Sequence, residues 1–324
     1  MANVILEVEN LKKYFPIKKG WLKKTVGHVK AIDDVSFKVY QGETFGLVGE
    51  SGCGKSTTGR SLLRLIEPTD GKIVFQGKNL SELSRSEMRR MRRDLQIIFQ
   101  DPFASLDPRQ KVRDIIAEPL ITHKVFNTKA EINREVEKLI EVVGLNQSQL
   151  DRQPHEFSGG QRQRIGIARA LALKPKVIIA DESVSALDVS IQSQILNLIK
   201  QLQKDFGLTF IFISHDLSVV KHISDRVAVM YLGRIVEIAD KDEIYENPLH
   251  PYSEALLSAV PIPDPTVKRE RIMLQGDLPS PSNPPSGCPL HPRCPKRMDI
   301  CSQVRPNLSW ANESHAVACH LFNE

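Results

Sequence analysis

The sequence predicts an α/β fold with a largely parallel sheet, a helical insertion and a loop-rich C-terminal region, and three features predict it. Short apolar runs alternate with helical stretches through the first 240 residues, as at 43–48, 177–180 and 209–214, which is the rhythm of strand-helix-strand units. From about Ser81 to Glu156 the pattern turns helical, with the charged run SELSRSEMRRMRRDLQ and the amphipathic run KAEINREVEKLIEVVGL. Beyond about Asp240 proline accumulates in PIPDP, LPSPSNPPSG and CPLHPRCP, which excludes continuous helix and central strand. The expected limits are one domain over 1–240, with a sheet core at about 1–85 and 161–240 around a helical subdomain at about 86–160, then a C-terminal extension over 241–324.

Composition bounds the function without choosing it. The 324 residues are 41% hydrophobic and 26% charged, ordinary for a soluble globular protein with room for a large core. Lys and Arg exceed Asp and Glu by 44 to 39, far less than a dedicated nucleic-acid binder shows, so no nucleic-acid partner is expected. The opening MANVILEVEN lacks a basic region before an apolar one. No apolar stretch approaches the roughly 18 residues a membrane span needs. These two observations lead us to expect a cytoplasmic chain. Of its five cysteines, Cys53 stands alone and Cys288, Cys294, Cys301 and Cys319 crowd the C-terminal end. In a reducing compartment such a group suggests metal or cluster ligation before disulfides.

The chemistry starts at Gly49-Glu50-Ser51-Gly52-Cys53-Gly54-Lys55-Ser56-Thr57, which follows an expected strand at 44–48 and fits G-x-x-x-x-G-K-[ST] at every fixed position. The glycines let backbone N–H groups turn toward phosphate oxygens, and the following helix points its positive end at the same anion. Lys55 is then expected to reach the β- and γ-phosphates and Ser56 to ligate Mg2+. Cys53 occupies a freely variable position and is read as packing, with sensitivity to thiol reagents as a side effect. Further on, Val177-Ile178-Ile179-Ala180-Asp181-Glu182 is an apolar run ending in two carboxylates. A buried strand would place Asp181 at its C-terminal edge for Mg2+ and Glu182 where it can orient or deprotonate water.

A second serine-glycine array, Phe157-Ser158-Gly159-Gly160-Gln161, opens the helical stretch 162–173. One nucleotide does not need two phosphate cradles in one chain, so this array is expected to bind the γ-phosphate of ATP held by a partner chain.

Together these segments resemble the ATP-binding subunit of ABC transporters over roughly residues 4–240. Only Phe157 departs from that family's pattern, standing where leucine is usual. The resemblance implies a RecA-like mixed-sheet core carrying an inserted helical subdomain. It implies that Gln100, in IIFQDP, senses Mg2+ with Ser56 and Asp181 and faces the membrane subunit. Ser185-Ala186-Leu187-Asp188 resembles the D-loop that crosses the dimer interface, and His215, in ISHD, the switch histidine on the γ-phosphate. An aromatic of the first strand stacks on adenine in this family; Phe15 fits that place, with Tyr14 as the alternative. Two subunits then close over two ATP molecules and reopen on hydrolysis. The implied partners are a second ABC ATPase subunit, in a heterodimer or a homodimer, and transmembrane permease subunits. An extracytoplasmic solute-binding protein acts indirectly. The place implied is peripheral, on the cytoplasmic face of the membrane. Soluble ABC ATPases of translation or DNA repair are the other class, but those carry paired cassettes or a long coiled-coil insertion that this chain lacks. A third reading is a cluster-bearing sensor in which ATP is regulatory.

The tail narrows the cargo. Glu246-Asn247-Pro248-Leu249-His250-Pro251-Tyr252, followed by SEALLSAVP, is similar to the C-terminal extension of ATPases serving oligopeptide and dipeptide importers; nickel importers share it. The spacing Cys288-x5-Cys294-x6-Cys301-x17-Cys319 suits a [4Fe-4S] cluster or tetrahedral zinc, or four unligated thiols. The family resemblance favours the cluster. A last feature is Lys18-Lys19-Gly20-Trp21-Leu22-Lys23-Lys24, which reads as a solvated hairpin tip or a contact to anionic headgroups.

Overall fold

The computed structural model describes residues 3–21, 23–260 and 271–322. The PIPDP run and Leu22 of the lysine-rich tip lie outside the described residues. In chain order the first strands are β1 (Val4–Lys19), β2 (Lys24–Tyr40), β3 (Thr44–Val48), β4 (Asp70–Phe75), β5 (Lys78–Asn79) and β6 (Leu95–Ile98). They are followed by β7 (Val177–Asp181), β8 (Thr209–Ser214), β9 (Arg226–Tyr231), β10 (Arg234–Asp240), β11 (Ser309–Trp310) and β12 (His315–Val317). The helices are α1 (Lys55–Leu62), α2 (Arg85–Met91), α3 (Pro102–Ser105), α4 (Val112–Thr122), α5 (Lys129–Val142) and α6 (Gly159–Leu171). After them come α7 (Val189–Phe206), α8 (Leu217–Ile223), α9 (Lys241–Glu246), α10 (Pro251–Ser258) and α11 (Ile300–Gln303).

Two compact units form, Met1–Ser81 with Ser214–Glu324, and Glu82–Ile213. In the first, β1 pairs along its length with β2, and β4 and β5 extend that antiparallel sheet in the order β2-β1-β4-β5. The pairing leaves Trp21 at the hairpin tip, 92% exposed, so the lysine-rich segment is a solvated tip in the isolated chain. β3 is apolar and buried at every residue, as a strand covered on both faces must be, and runs parallel to β9 with Val48 opposite Val229. The chain then reverses through Leu232 and Gly233, both at positive φ (43° and 78°). That is the backbone a two-residue hairpin requires, and it makes β10 antiparallel to β9. The sheet is therefore mixed rather than largely parallel in this part.

The proline-rich tail is less loop-like than its composition suggests. β12 adds to β10 with Val317 opposite Glu237, and β11 adds to β12. Glu237 is wholly buried there. Its carboxylate accepts from Leu249 N at 2.7 Å and His250 N at 3.1 Å and lies 2.6 Å from His315 Nε2, the pairing a buried charge needs. His250 is also wholly buried, and its Nδ1 accepts from Tyr252 N at 3.1 Å. Burial outweighs the attraction of Glu237 and pushes the imidazole down to about 4. The unfolded chain takes up a proton here near pH 6.5 while the native chain does not, so stability contributed by neutral His250 is complete above that pH. It falls as pH drops toward 4, by about 3 kcal/mol. Urea titrations at pH 7 and 4.5 are expected to show a smaller loss for His250→Asn than for the unsubstituted chain.

The second unit is a parallel β6-β7-β8 sheet with helices around it. Local signals set the helices: Ser84 with Glu87 and Thr128 with Glu131 form capping boxes on α2 and α5. Gly207, at φ 62°, ends α7. Within this unit α6 packs on α3, α4 and α5 and also on β6. The same helix thereby ties the helices to β6, which pairs with β7, the strand that ends in the acidic pair.

Candidate functional site

The phosphate loop of the first unit runs from β3 into α1. Gly54 caps α1 at φ 108°, and a Cβ there would stand 2.1 Å from Ala31 O; Gly49 is under the same constraint against Met230 O. Only glycine permits this path. No side chain caps the first turn of α1, so its leading amides remain with the loop, as anion binding requires. Lys55 is 3% exposed and folds back over the loop, donating from Nζ to Gly49 O at 2.8 Å and Glu50 O at 3.0 Å. Gly52, at φ 80°, shapes the turn, Ser51 is exposed, and Ser56 and Thr57 are half-buried at the start of α1. Cys53 is buried and its thiol raised by desolvation, against the pull of Lys55. That agrees with packing and works against attack by thiol reagents.

The two aromatic candidates differ. Tyr14 donates its hydroxyl to Asp33, and burial with that bond pushes it up to about 12. Phe15 is 37% exposed, with Lys13 Nζ over its ring 5.0 Å from the centroid. His215 follows β8 and is exposed.

In the second unit Asp181 ends the wholly buried β7. Glu182 sits at φ 45°, a left-handed conformation that a non-glycine residue adopts only when its surroundings impose it. Here its N donates to Ile213 O at 2.9 Å and its carbonyl accepts from Ser185 Oγ at 2.9 Å. Gln100 Nε2 donates to Glu182 Oε2 at 2.8 Å. The structure thus joins two residues that are 82 positions apart in sequence, with the carboxylate held toward solvent.

The serine-glycine array is shaped for close approach. Ser158 caps α6 in a capping box with Gln161. A Cβ on Gly160 would meet Ile191 Cγ2 at 2.4 Å, and one on Gly159 would meet Leu187 at 3.3 Å. Asp188 caps α7 by accepting from Ile191 N at 3.0 Å. That bond is the first reason its carboxyl lies below the usual range. The 157–161 array is therefore packed on the 185–188 turn and the start of α7 within this unit.

The four C-terminal cysteines are free thiols, and all but the half-buried Cys294 are buried. Cys288 N donates to Cys301 O at 2.8 Å. Burial, then the neighbouring thiols of Cys301, Cys319 and Cys294, raise Cys288 to about 11. The donor set suits a soft metal or cluster in kind. Among the described residues, however, no group of three or more His, Cys, Asp or Glu is placed to hold a metal ion.

Sequence reasoning missed Tyr231, Tyr252 and Arg293, which surround Glu50 of the phosphate loop. Tyr252 and Arg293 stand in HPY and CPLHPRCP of the tail and Tyr231 ends β9, but nothing in one sequence says that they fold onto the loop.

Comparison with known proteins agrees with this geometry. The ABC transporter family profile matches residues 32–185, and the profile described as oligopeptide/dipeptide transporter, C-terminal region, matches 236–301. The oligopeptide transport ATP-binding protein AppF of Bacillus subtilis (strain 168) is 58% identical over 322 residues, covering 98% of each chain. The oligopeptide transport ATP-binding protein OppF of Salmonella typhimurium is 54% identical over 320 residues, covering 98% of this chain and 96% of that one. Among solved structures, a dimeric post-hydrolysis state of the ATP-binding cassette MJ0796 bound to ADP and Pi aligns with a TM-score of 0.65. It is 26% identical and covers 73% of this chain and 98% of that one. The chain therefore belongs to the ATP-binding subunits of ABC transporters that carry the oligopeptide/dipeptide C-terminal region.

Proposed function

We propose that this chain binds and hydrolyses MgATP and uses closure of an ATPase dimer on permease subunits to power import of dipeptides and oligopeptides. The observation that carries the chemistry is the Gln100 to Glu182 bond beside the buried end of β7, in a chain that also holds a complete phosphate loop. The cargo rests on the C-terminal region and on relatives named for oligopeptide transport. Lys55 binds the β- and γ-phosphates, supported by the loop amides of Gly49 to Thr57. Ser56, Asp181 and Gln100 would hold Mg2+, which would supply charge to offset that developing on the phosphates. Glu182 accepts the proton of the attacking water and His215 fixes the γ-phosphate. Ser158, Gly159, Gly160 and Gln161 reach the partner's nucleotide, with Asp188 crossing between subunits. Phe15 stacks on adenine, because Tyr14 is engaged with Asp33. Among the described residues no helix is long and apolar enough to cross a membrane; the place proposed, peripheral on the cytoplasmic face, rests on the likeness to transport ATP-binding proteins. Reconstitution with the permease is the test: ATP-dependent peptide uptake supports the reading, and uptake confined to nickel chelates or other small solutes would replace the cargo.

We further propose that Cys288, Cys294, Cys301 and Cys319 hold a [4Fe-4S] cluster with a structural role, zinc being the alternative. Four free thiols, of which Cys301, Cys319 and Cys294 are near enough to act on Cys288, support it, and a tail this poor in apolar residues gains from such a staple. Anaerobically purified protein is expected to contain about four iron and four sulfide per chain, the content of a cubane. Zinc alone, or no metal, would contradict the cluster and leave the ATPase reading intact.

A further inference from the structure

Glu50, the second residue of the phosphate loop, is gripped by side chains that lie far outside the motif. Tyr252 Oη accepts from Glu50 N at 2.9 Å. Arg293 donates from its guanidinium to Glu50 Oε2 at 3.3 Å and to Tyr231 Oη at 3.5 Å. The Tyr231 and Tyr252 rings pack at 4.7 Å between centroids, and both residues are wholly buried. Burial pushes both hydroxyls well up, so they stay neutral and Tyr252 remains an acceptor for the loop amide. The carbonyl of Glu50 meanwhile accepts from Lys55 Nζ at 3.0 Å. One loop residue thus connects the phosphate-binding lysine to the HPY motif and, through Arg293, to the segment between Cys288 and Cys294. On the other side of the loop, Gly233 N donates to Cys53 O at 2.8 Å.

We propose that Tyr252 and Arg293 are positioning residues for the nucleotide site, holding the backbone of the phosphate loop in its binding conformation so that the fold of the cysteine segment sets ATP affinity. A phosphate cradle works through amides that already point inward, and a loop fixed before binding does not have to be ordered during it. The Arg293 side chain is 11% exposed, so its bond to the Glu50 carboxylate is little weakened by water and salt. A hydrogen bond from the fixed Tyr252 hydroxyl keeps the Glu50 amide from turning away. This inference rests on the proposed reading of residues 49–57 as the ATP site.

Steady-state ATPase kinetics of the intact chain, with melting temperatures taken without nucleotide, test it. Tyr252→Phe, which keeps the ring, and Arg293→Gln are each expected to raise KM for MgATP by about threefold to tenfold, with kcat and the nucleotide-free melting temperature close to those of the unsubstituted chain. Arg293→Lys is expected to restore part of the affinity. Glu50→Gln combined with Arg293→Gln is expected to cost no more than either change alone, since both break the same contact. An unchanged KM in Tyr252→Phe, or a lowered melting temperature with unchanged KM in either variant, would overturn the proposal. Tyr252→Phe decides the matter if Arg293→Gln does not fold. Lys55→Ala separates the two levels: if it binds MgATP normally, the loop is not the ATP site. If it loses binding while both positioning variants keep the original KM, only this inference fails.

Discussion

Glu182→Gln is expected to bind MgATP as tightly as the unsubstituted chain and to lose turnover by about 10²- to 10⁴-fold, the usual contribution of a general base. The geometry makes the experiment clean. Gln100 Nε2 bonds Glu182 Oε2, and an amide at position 182 keeps an oxygen to accept that bond. The φ of 45° is fixed by the Ile213 and Ser185 hydrogen bonds to its backbone, none of which involves the carboxylate. The variant therefore loses proton acceptance with little else. Because hydrolysis reopens the dimer in this mechanism, the variant is also expected to accumulate as a closed dimer in MgATP, visible as a shift in sedimentation. Retention of near-full activity would exclude Glu182 as the base.

Lys55→Ala carries the second large effect, and it acts at binding. The ammonium is buried and satisfied by the Gly49 and Glu50 carbonyls. On binding it exchanges neutral acceptors for phosphate oxygens. Loss of that charged contact is expected to weaken MgATP binding by about 10- to 100-fold and to lower turnover by about 10²- to 10³-fold. Equilibrium binding separates it from Glu182→Gln, which retains affinity. If both variants bind normally, the phosphate loop has been assigned to the wrong ligand.

Much of this was legible in the sequence because the chemistry is local there. The loop at 49–57 needs glycine at positions where a Cβ would strike Ala31 O or Met230 O, and the acidic pair follows an apolar run that the structure buries at every residue. Helix starts at Ser84, Thr128 and Ser158 are announced by their capping boxes. What escaped was long-range. Proline content pointed to loops after 240, yet β12 joins β10 because a buried Glu237 finds His315 and two backbone amides. The grip of Tyr252 and Arg293 on Glu50 joins positions 202 and 243 residues apart, a relation that no local pattern encodes.

Peptide uptake into vesicles reconstituted with this chain, its partner ATPase and the permease subunits tests the central claim most directly. Uptake is expected to require ATP inside the nucleotide-accessible compartment, to disappear with Glu182→Gln, and to be matched by ATP consumption. Peptide accumulation that persists with Glu182→Gln, or ATP hydrolysis with no peptide moved in the complete assembly, would contradict it.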